Sequence, residues 1–131
     1  MTDRKIIDMA AEAMKNSYSP YSRFKVGAAL ESSDGSVFTG CNIENPAFGT
    51  TICAEVAAVS AAVSAGKRNF KRIAVISDGS AYCFPCGSCR QLLSEFSPDV
   101  EVLCTRSDGR YESYPLSALL PKAFGKEHVE R

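Results

Sequence analysis

Residues 53–77 read CAEVAAVSAAVSAGKRNFKRIAVIS, and this stretch decides the fold. From Cys53 to Ala65 the chain contains neither Gly nor Pro and is rich in alanine, the strongest helix former. It stops at Gly66, which suits a left-handed helix terminus. Arg72 to Ser77 then carries the continuous apolar run Ile73-Ala74-Val75-Ile76, the pattern of a strand covered on both faces. A helix of small side chains therefore feeds a buried central strand. Upstream, Phe24, Val26, Ala28 and Leu30 alternate, Asp34-Gly35 is a hairpin signal, and Val37 to Ile43 supplies the return strand. Before that pair, Ile6, Met9, Ala10 and Ala13 recur at helical spacing, predicting an amphipathic helix from Asp3 to Asn16 capped by Thr2 or Asp3. Downstream, Cys89, Leu92, Leu93 and Phe96 share one face of a helix from Cys86 to Phe96, so Cys89 points inward. Val100 to Cys104 and Arg110 to Tyr114 read as strands about the turn residues Ser107-Asp108-Gly109, and Pro115 to Leu120 as a short closing helix. This order predicts an α/β fold: a three-layer α/β/α arrangement with a five-stranded mixed sheet, formed by one domain over residues 1–131.

Composition narrows the function classes. The 131 residues are 45% hydrophobic, with 15 Lys and Arg balanced against 15 Asp and Glu. Zero formal charge lacks the basic field that releases counterions from polynucleotides, so no nucleic-acid partner is expected. The opening residues carry no apolar h-region and no run approaches the ~20 apolar residues of a membrane span, so a cytoplasmic protein without a membrane partner is expected.

In a reducing compartment the six cysteines, Cys41, Cys53, Cys83, Cys86, Cys89 and Cys104, remain thiols. The only histidine, His128, lies in a charged tail with Lys126, Glu127, Glu130 and Arg131, where solvation is the simpler expectation; a metal site here must be rich in thiolate. Cys53 and Cys86-Gly87-Ser88-Cys89 each open a helix, where the dipole and free N–H groups favour thiolate. Three thiolates would leave one tetrahedral zinc position for a water, whose pKa zinc lowers toward ~7. Glu55, two residues after Cys53 on the first helical turn, is placed to lean toward the same point and to move that water's proton.

The Cys-Ala-Glu and Pro-Cys-x-x-Cys segments, about thirty residues and one strand apart, resemble those of the zinc-dependent cytidine deaminases. The similarity extends to Tyr21–Leu30, to Gly40–Asn45 and to Leu119–Gly125, so it covers nearly the whole chain, and it matches the small homotetrameric branch of the family. The resemblance implies hydrolytic deamination of cytidine and deoxycytidine to uridine and deoxyuridine plus ammonia, in pyrimidine salvage. It further implies one zinc per subunit on Cys53, Cys86 and Cys89, and Glu55 shuttling protons while hydroxide attacks C4. Phe24 is implied to pack on the nucleoside, Asn42 and Glu44 to bind ribose hydroxyls, and the Ala54 backbone and the carbonyl near Phe84 to read the base. Phe124 is implied to reach a neighbouring subunit's site in a homotetramer with shared active sites. Neutral overall charge suits such an uncharged substrate.

Two departures stand out. Many relatives carry Arg-Thr after the Cys-Ala-Glu, where this chain has Val56-Ala57, so that cation is missing beside three thiolates. Phe48-Gly49-Thr50-Thr51 replaces a tyrosine-containing loop, which keeps a blasticidin-type or modified-cytidine substrate as an alternative. The best non-enzyme alternative is a closed structural zinc module with Cys83 as fourth ligand. A thioredoxin-like redox pair would leave Cys53 and Glu55 without a role. Read singly, Phe24 and Phe124 are candidate core aromatics, Asn42 and Glu44 candidate turn residues, Glu55 a helix-dipole partner, and Cys41 and Cys104 inert residues on buried strands.

Overall fold

The computed structural model describes residues 1–129, so Glu130 and Arg131 of the charged tail lie outside the described residues. Helix α1 spans Asp3–Met14, and the Thr2 hydroxyl accepts the Lys5 N–H as its cap. Strands β1 (Val26–Ser32) and β2 (Val37–Cys41) form the hairpin, α2 spans Ala54–Ser64, and β3 spans Phe70–Ser77. Helix α3 (Gly87–Phe96), strands β4 (Glu101–Thr105) and β5 (Tyr111–Pro115), and the single turn α4 (Leu116–Leu119) complete the order. Gly35, Gly66 and Gly109 all have positive φ, as their places in the two hairpin turns and at the end of α2 require.

The sheet runs β2-β1-β3-β4-β5; β3 and β4 are parallel and the other neighbours antiparallel, a five-stranded mixed sheet. Alternation along β1 and β3 separates two cores. Ala28, Leu30, Ile73 and Val75 face Ala54, Ala58, Val59 and Ala62 of α2, Leu93 of α3 and Leu116 of α4. Ala29, Ala74 and Ile76 face Ile6, Ile7 and Ala10 of α1. Two glycines allow the layers to approach this closely. A Cβ on Gly40 would lie 2.5 Å from the Ala54 carbonyl oxygen and 2.7 Å from Ala57 Cβ, and one on Gly27 would collide with the Ala10 carbonyl of α1. At the far end of the sheet from the helix starts, the buried Arg72 side chain ties layers together: it donates to Glu31, to Asp3 and to the Met1 carbonyl. The Tyr111 hydroxyl completes this group by donating to Asp3.

Strand boundaries differ from the sequence pattern: β3 begins at Phe70 rather than Arg72, β4 and β5 each lie one residue later, and the β1–β2 pair is shorter at its open end. Phe24 precedes β1, and β2 ends at Cys41 rather than Ile43. The cause is Asn42, whose Nδ2 donates to the Phe24 carbonyl at 2.7 Å and whose Oδ1 accepts the Val26 N–H at 3.0 Å. The side-chain amide thus takes backbone groups that a longer ladder would have used. Cys104 is fully buried as expected, but Cys41 is only half-buried because β2 is an edge strand.

Candidate active site

Strands β2 and β3 are both antiparallel to β1, so both deliver the chain to the same end of the sheet. Helices α2 and α3 start there, on the same face, and each has a cysteine at its N-cap. Cys53 (φ −73°, ψ 152°) and Cys86 (φ −68°, ψ 167°) take the extended cap conformation, yet neither sulfur caps a backbone N–H. Ser, Thr, Asn or Asp would normally be favoured at such positions. Here the capping interaction is forgone and two sulfurs are left pointing off adjacent helix ends. Cys89, on the first turn of α3, lies fully buried between them.

The sulfurs of Cys53, Cys86 and Cys89 all lie within 4.8 Å of one another, with Cys86 and Cys89 at 3.3 Å. Tetrahedral zinc at about 2.3 Å from each sulfur would separate them by about 3.8 Å. The donor set therefore fits zinc in both element preference and span. The turn that bears two of these thiols is braced by Arg90, which donates from Nε to the Pro85 carbonyl at 2.7 Å and from Nη1 to the Leu119 carbonyl at 2.8 Å. The Ser88 hydroxyl sits 3.2 Å from the Cys86 sulfur.

Burial, then the neighbouring Cys86, pushes the Cys53 thiol up, and burial, then the Glu55 charge, pushes Cys89 up. At Cys86 burial acts upward too, but the Ser88 hydroxyl and the nearby Cys89 backbone N–H outweigh it and the thiol falls below its ordinary value. A bound divalent cation would pull all three toward thiolate. Cys83 behaves differently. Its backbone N–H donates to the Thr105 carbonyl at 3.1 Å, which ties it to β4, and its sulfur is not among the clustered three. Burial pushes its thiol up to about 12. The cluster thus contains three thiols rather than the four that a closed structural site needs.

Glu55, 5% exposed, sits on the first turn of α2. Burial raises its carboxyl above the ordinary range, opposed by its own backbone N–H and by Cys89. It lies outside the three-sulfur set but lines the same cleft, of about 230 Å³, with Cys53 and Cys86. Phe24, Asn42 and Ala54 line this cleft as well, and among the described residues no Lys or Arg does. Phe24 is 46% exposed and its ring rests against Gly79, where an added Cβ would come within 3.2 Å of Cε1. It is therefore not a core aromatic.

Glu44 opens into an adjoining cleft of about 460 Å³ with Tyr21, Ser22 and Thr51; Thr51 lines both clefts and so joins them. Hydrogen bonds from Ser22 hold the Glu44 carboxyl below its ordinary value. A larger cleft, about 530 Å³, lies between α3 and the C-terminal segment and contains none of the three thiols. Phe124 lines that one, 61% exposed and stacked on His128 at 5.5 Å, so within a single chain it does not meet the other candidates. His128 accepts the Gly125 N–H through Nδ1 at 2.9 Å and takes no part in the thiol cluster. Thr51, Ser22 and Arg90 were given no individual role by sequence, although each lies in a segment that the sequence singles out.

Comparison with known proteins agrees with this site. Residues 1–105 match the family model described as the cytidine and deoxycytidylate deaminase zinc-binding region. A cytidine deaminase of Sporosarcina psychrophila is 44% identical over 130 residues, covering 98% of this chain and 96% of that protein. One from Halalkalibacterium halodurans is also 44% identical, covering 98% of each. The crystal structure of cytidine deaminase from Burkholderia pseudomallei superposes with a TM-score of 0.91 at 43% identity, covering 95% of this chain and all of the other. With the matched region spanning both cysteine segments and the sheet between them, the chain belongs to the zinc-dependent cytidine and deoxycytidylate deaminase family.

Proposed function

We propose that this chain, acting as a single unit over residues 1–131, hydrolyses cytidine and deoxycytidine to uridine and deoxyuridine with release of ammonia. The observation that carries the reading is a buried carboxylate, Glu55, sharing one cleft with Cys53 and Cys86, two of three convergent thiols. Zinc held by Cys53, Cys86 and Cys89 supplies a Lewis acid that makes water a nucleophile near neutral pH. Glu55 takes one proton from the attacking water and gives it to ring N3, then passes the remaining proton, from the new C4 hydroxyl, to the departing amino group. One water is consumed, the C4–N bond breaks, a C4 carbonyl forms and ammonia leaves. Burial suits this task, because a carboxyl raised toward the working pH both accepts and gives back a proton readily.

Phe24 packs on the nucleoside, Asn42 and Glu44 meet the sugar hydroxyls, and the Ala54 backbone reads the base; their joined clefts support this assignment. The exposed Phe124 completes the pocket of a neighbouring copy in a homotetramer, which its separation from the thiols within one chain accommodates. The family description names both a nucleoside and a nucleotide activity. Nucleoside is favoured, because among the described residues the sugar-side cleft is lined by the Glu44 carboxylate and by no cation that would meet a 5′-phosphate. A place in cytoplasmic pyrimidine salvage follows from that substrate; among the described residues no helix is long and apolar enough to cross a membrane.

Glu55→Gln tests the reading. It should keep zinc and fold while losing turnover by about 10²–10⁴-fold, the usual contribution of a positioned acid-base group. Wild-type turnover in that variant would refute the mechanism. A panel of cytidine, deoxycytidine, deoxycytidylate, cytosine and blasticidin S, followed by ammonia release, ranks the substrates.

A further inference from the structure

The Glu44 carboxylate is held in place by a loop. Its Oε1 accepts the backbone N–H groups of Tyr21 and Ser22, each at 3.1 Å, and its Oε2 accepts the Ser22 hydroxyl. The same Ser22 oxygen accepts the Phe24 N–H at 3.0 Å. A serine hydroxyl has one hydrogen and two lone pairs, so a single oxygen can give to the carboxylate and receive from the residue that bears the aromatic ring. The turn between them is tight: Arg23 has φ 57°, in the left-handed region, and its N–H donates to the Ser19 carbonyl at 2.9 Å.

Beyond Phe24 the loop is fastened again. Lys25 donates to Asp78 Oδ1 and Asp78 donates back to the Lys25 carbonyl, both at 3.1 Å. Between these two fastenings lie Ser22, Arg23 and Phe24, and among the described residues the only side chain that bonds both Glu44 and the Phe24 backbone is Ser22. Glu44 itself follows the edge strand in a loop, 22 residues away in sequence; Asn42 and the Glu44 N–H already hold the two segments side by side through the Phe24 and Tyr18 carbonyls, and the Ser22 hydroxyl adds the link that joins the carboxylate itself to the Phe24 backbone.

We propose that Ser22 is a positioning residue that fixes the Glu44 carboxylate and the Phe24 ring as one preformed unit, so that the sugar and base sides of the substrate are recognised together. The proposal rests on the reading of Glu44 and Phe24 as nucleoside contacts. A carboxylate has about four acceptor positions. Three are filled by the loop, which leaves a directed one for a substrate hydroxyl. Removing the Ser22 hydroxyl frees a second position and lets the carboxylate rotate, which weakens binding without touching the acid-base group or the thiols.

The test is steady-state kinetics on cytidine with Ser22→Ala, Ser22→Thr, Glu44→Gln and Phe24→Ala, with zinc per chain and thermal midpoint measured on each. Ser22→Ala should raise KM about tenfold, the scale of one hydrogen bond to a charged group, and leave kcat within about threefold. Ser22→Thr keeps the hydroxyl and should return KM to within about twofold of wild type. A Ser22→Ala KM within twofold of wild type, while Glu44→Gln and Phe24→Ala still raise it, overturns the role of Ser22 alone. Equal losses of kcat, zinc and thermal midpoint in Ser22→Ala would show a merely structural serine and overturn it too. If Glu44→Gln and Phe24→Ala both leave KM unchanged, the reading of the two contacts fails and the proposal with it.

Discussion

Gly40→Ala places one methyl group where β2 meets α2. The added Cβ would stand 2.5 Å from the Ala54 carbonyl oxygen, 2.7 Å from Ala57 Cβ and 2.7 Å from the Ala58 nitrogen, against 3.4 Å or more for ordinary contact. Relief of the first contact alone takes 3.4 − 2.5, or about 0.9 Å, of movement. The groups in the way are backbone and a methyl, neither of which can rotate aside. Overpacking of this kind costs about 1–3 kcal/mol. At about 4 °C per kcal/mol for a chain of this size, the thermal midpoint should fall by roughly 4–12 °C. The functional effect is more specific. Ala54 lies between Cys53 and Glu55, so a retreat of the first turn of α2 moves a metal ligand and the proton carrier together. Displacement of about 1 Å in such a constellation costs on the order of 10²-fold in rate. Gly27→Ala is the control, because its clash is with α1 on the opposite face of the sheet. It should destabilise at least as much, while the folded fraction keeps wild-type kcat per zinc. Calorimetry, zinc determination and ammonia release on both variants decide the matter. A Gly40→Ala protein with an unchanged midpoint and kcat within twofold would refute the reasoning, as would equal loss of kcat per zinc in both variants.

Cys83→Ser should retain zinc, fold and turnover, since the Cys83 sulfur stands outside the ligand cluster; zinc loss on metal analysis would restore the closed four-cysteine site. Apparent zinc affinity should fall as pH falls. The Cys53 and Cys89 thiols are held above their ordinary values, so both are protonated near neutrality and both protons must leave on binding. The expected slope is at least two decades of affinity per pH unit, or about 100-fold, in chelator competition between pH 6 and 8; a slope below one decade would contradict it. Arg72→Met should cost about 3–5 kcal/mol in urea unfolding, because it leaves the buried Glu31 carboxylate unpaired. A loss under 1 kcal/mol would show that Glu31 finds water.

Local signals carried most of the fold. Gly35, Gly66 and Gly109 all adopt the positive φ that their turn or terminal positions suggested, because that preference belongs to the residue itself. The run Ile73-Ala74-Val75-Ile76 does divide between two cores. The thiols were readable too, since a Cys-x-x-Cys at a helix start places two sulfurs by local geometry alone. What remained hidden depends on contacts distant in sequence. Nothing near Asn42 shows that its amide will end two strands by bonding Phe24 and Val26. Spacing left Cys83 equivalent to a fourth ligand, and only its tether to Thr105 on β4 separates it from the others. Glu44 was readable as a candidate contact, but its three donors come from Tyr21 and Ser22, on the other side of the hairpin.

Helix α3 does two things at once. Its first turn holds two of the three thiols, while Arg90 and Gln91 on the same helix donate to the Leu119 and Phe124 carbonyls at 2.8 and 2.7 Å. The end of α4 and the segment that follows it are therefore hung from the first turns of α3 by two side-chain-to-carbonyl hydrogen bonds. A pull on that segment, from a carboxy-terminal fusion or from a partner gripping Phe124, passes to α3 through Gln91 at Phe124 and then, at Leu119, to Arg90, whose other bond braces Pro85 next to Cys86. Surface attachment through the tail would load the thiol cluster mechanically, whereas tethering through the Asp34-Gly35 hairpin turn would not.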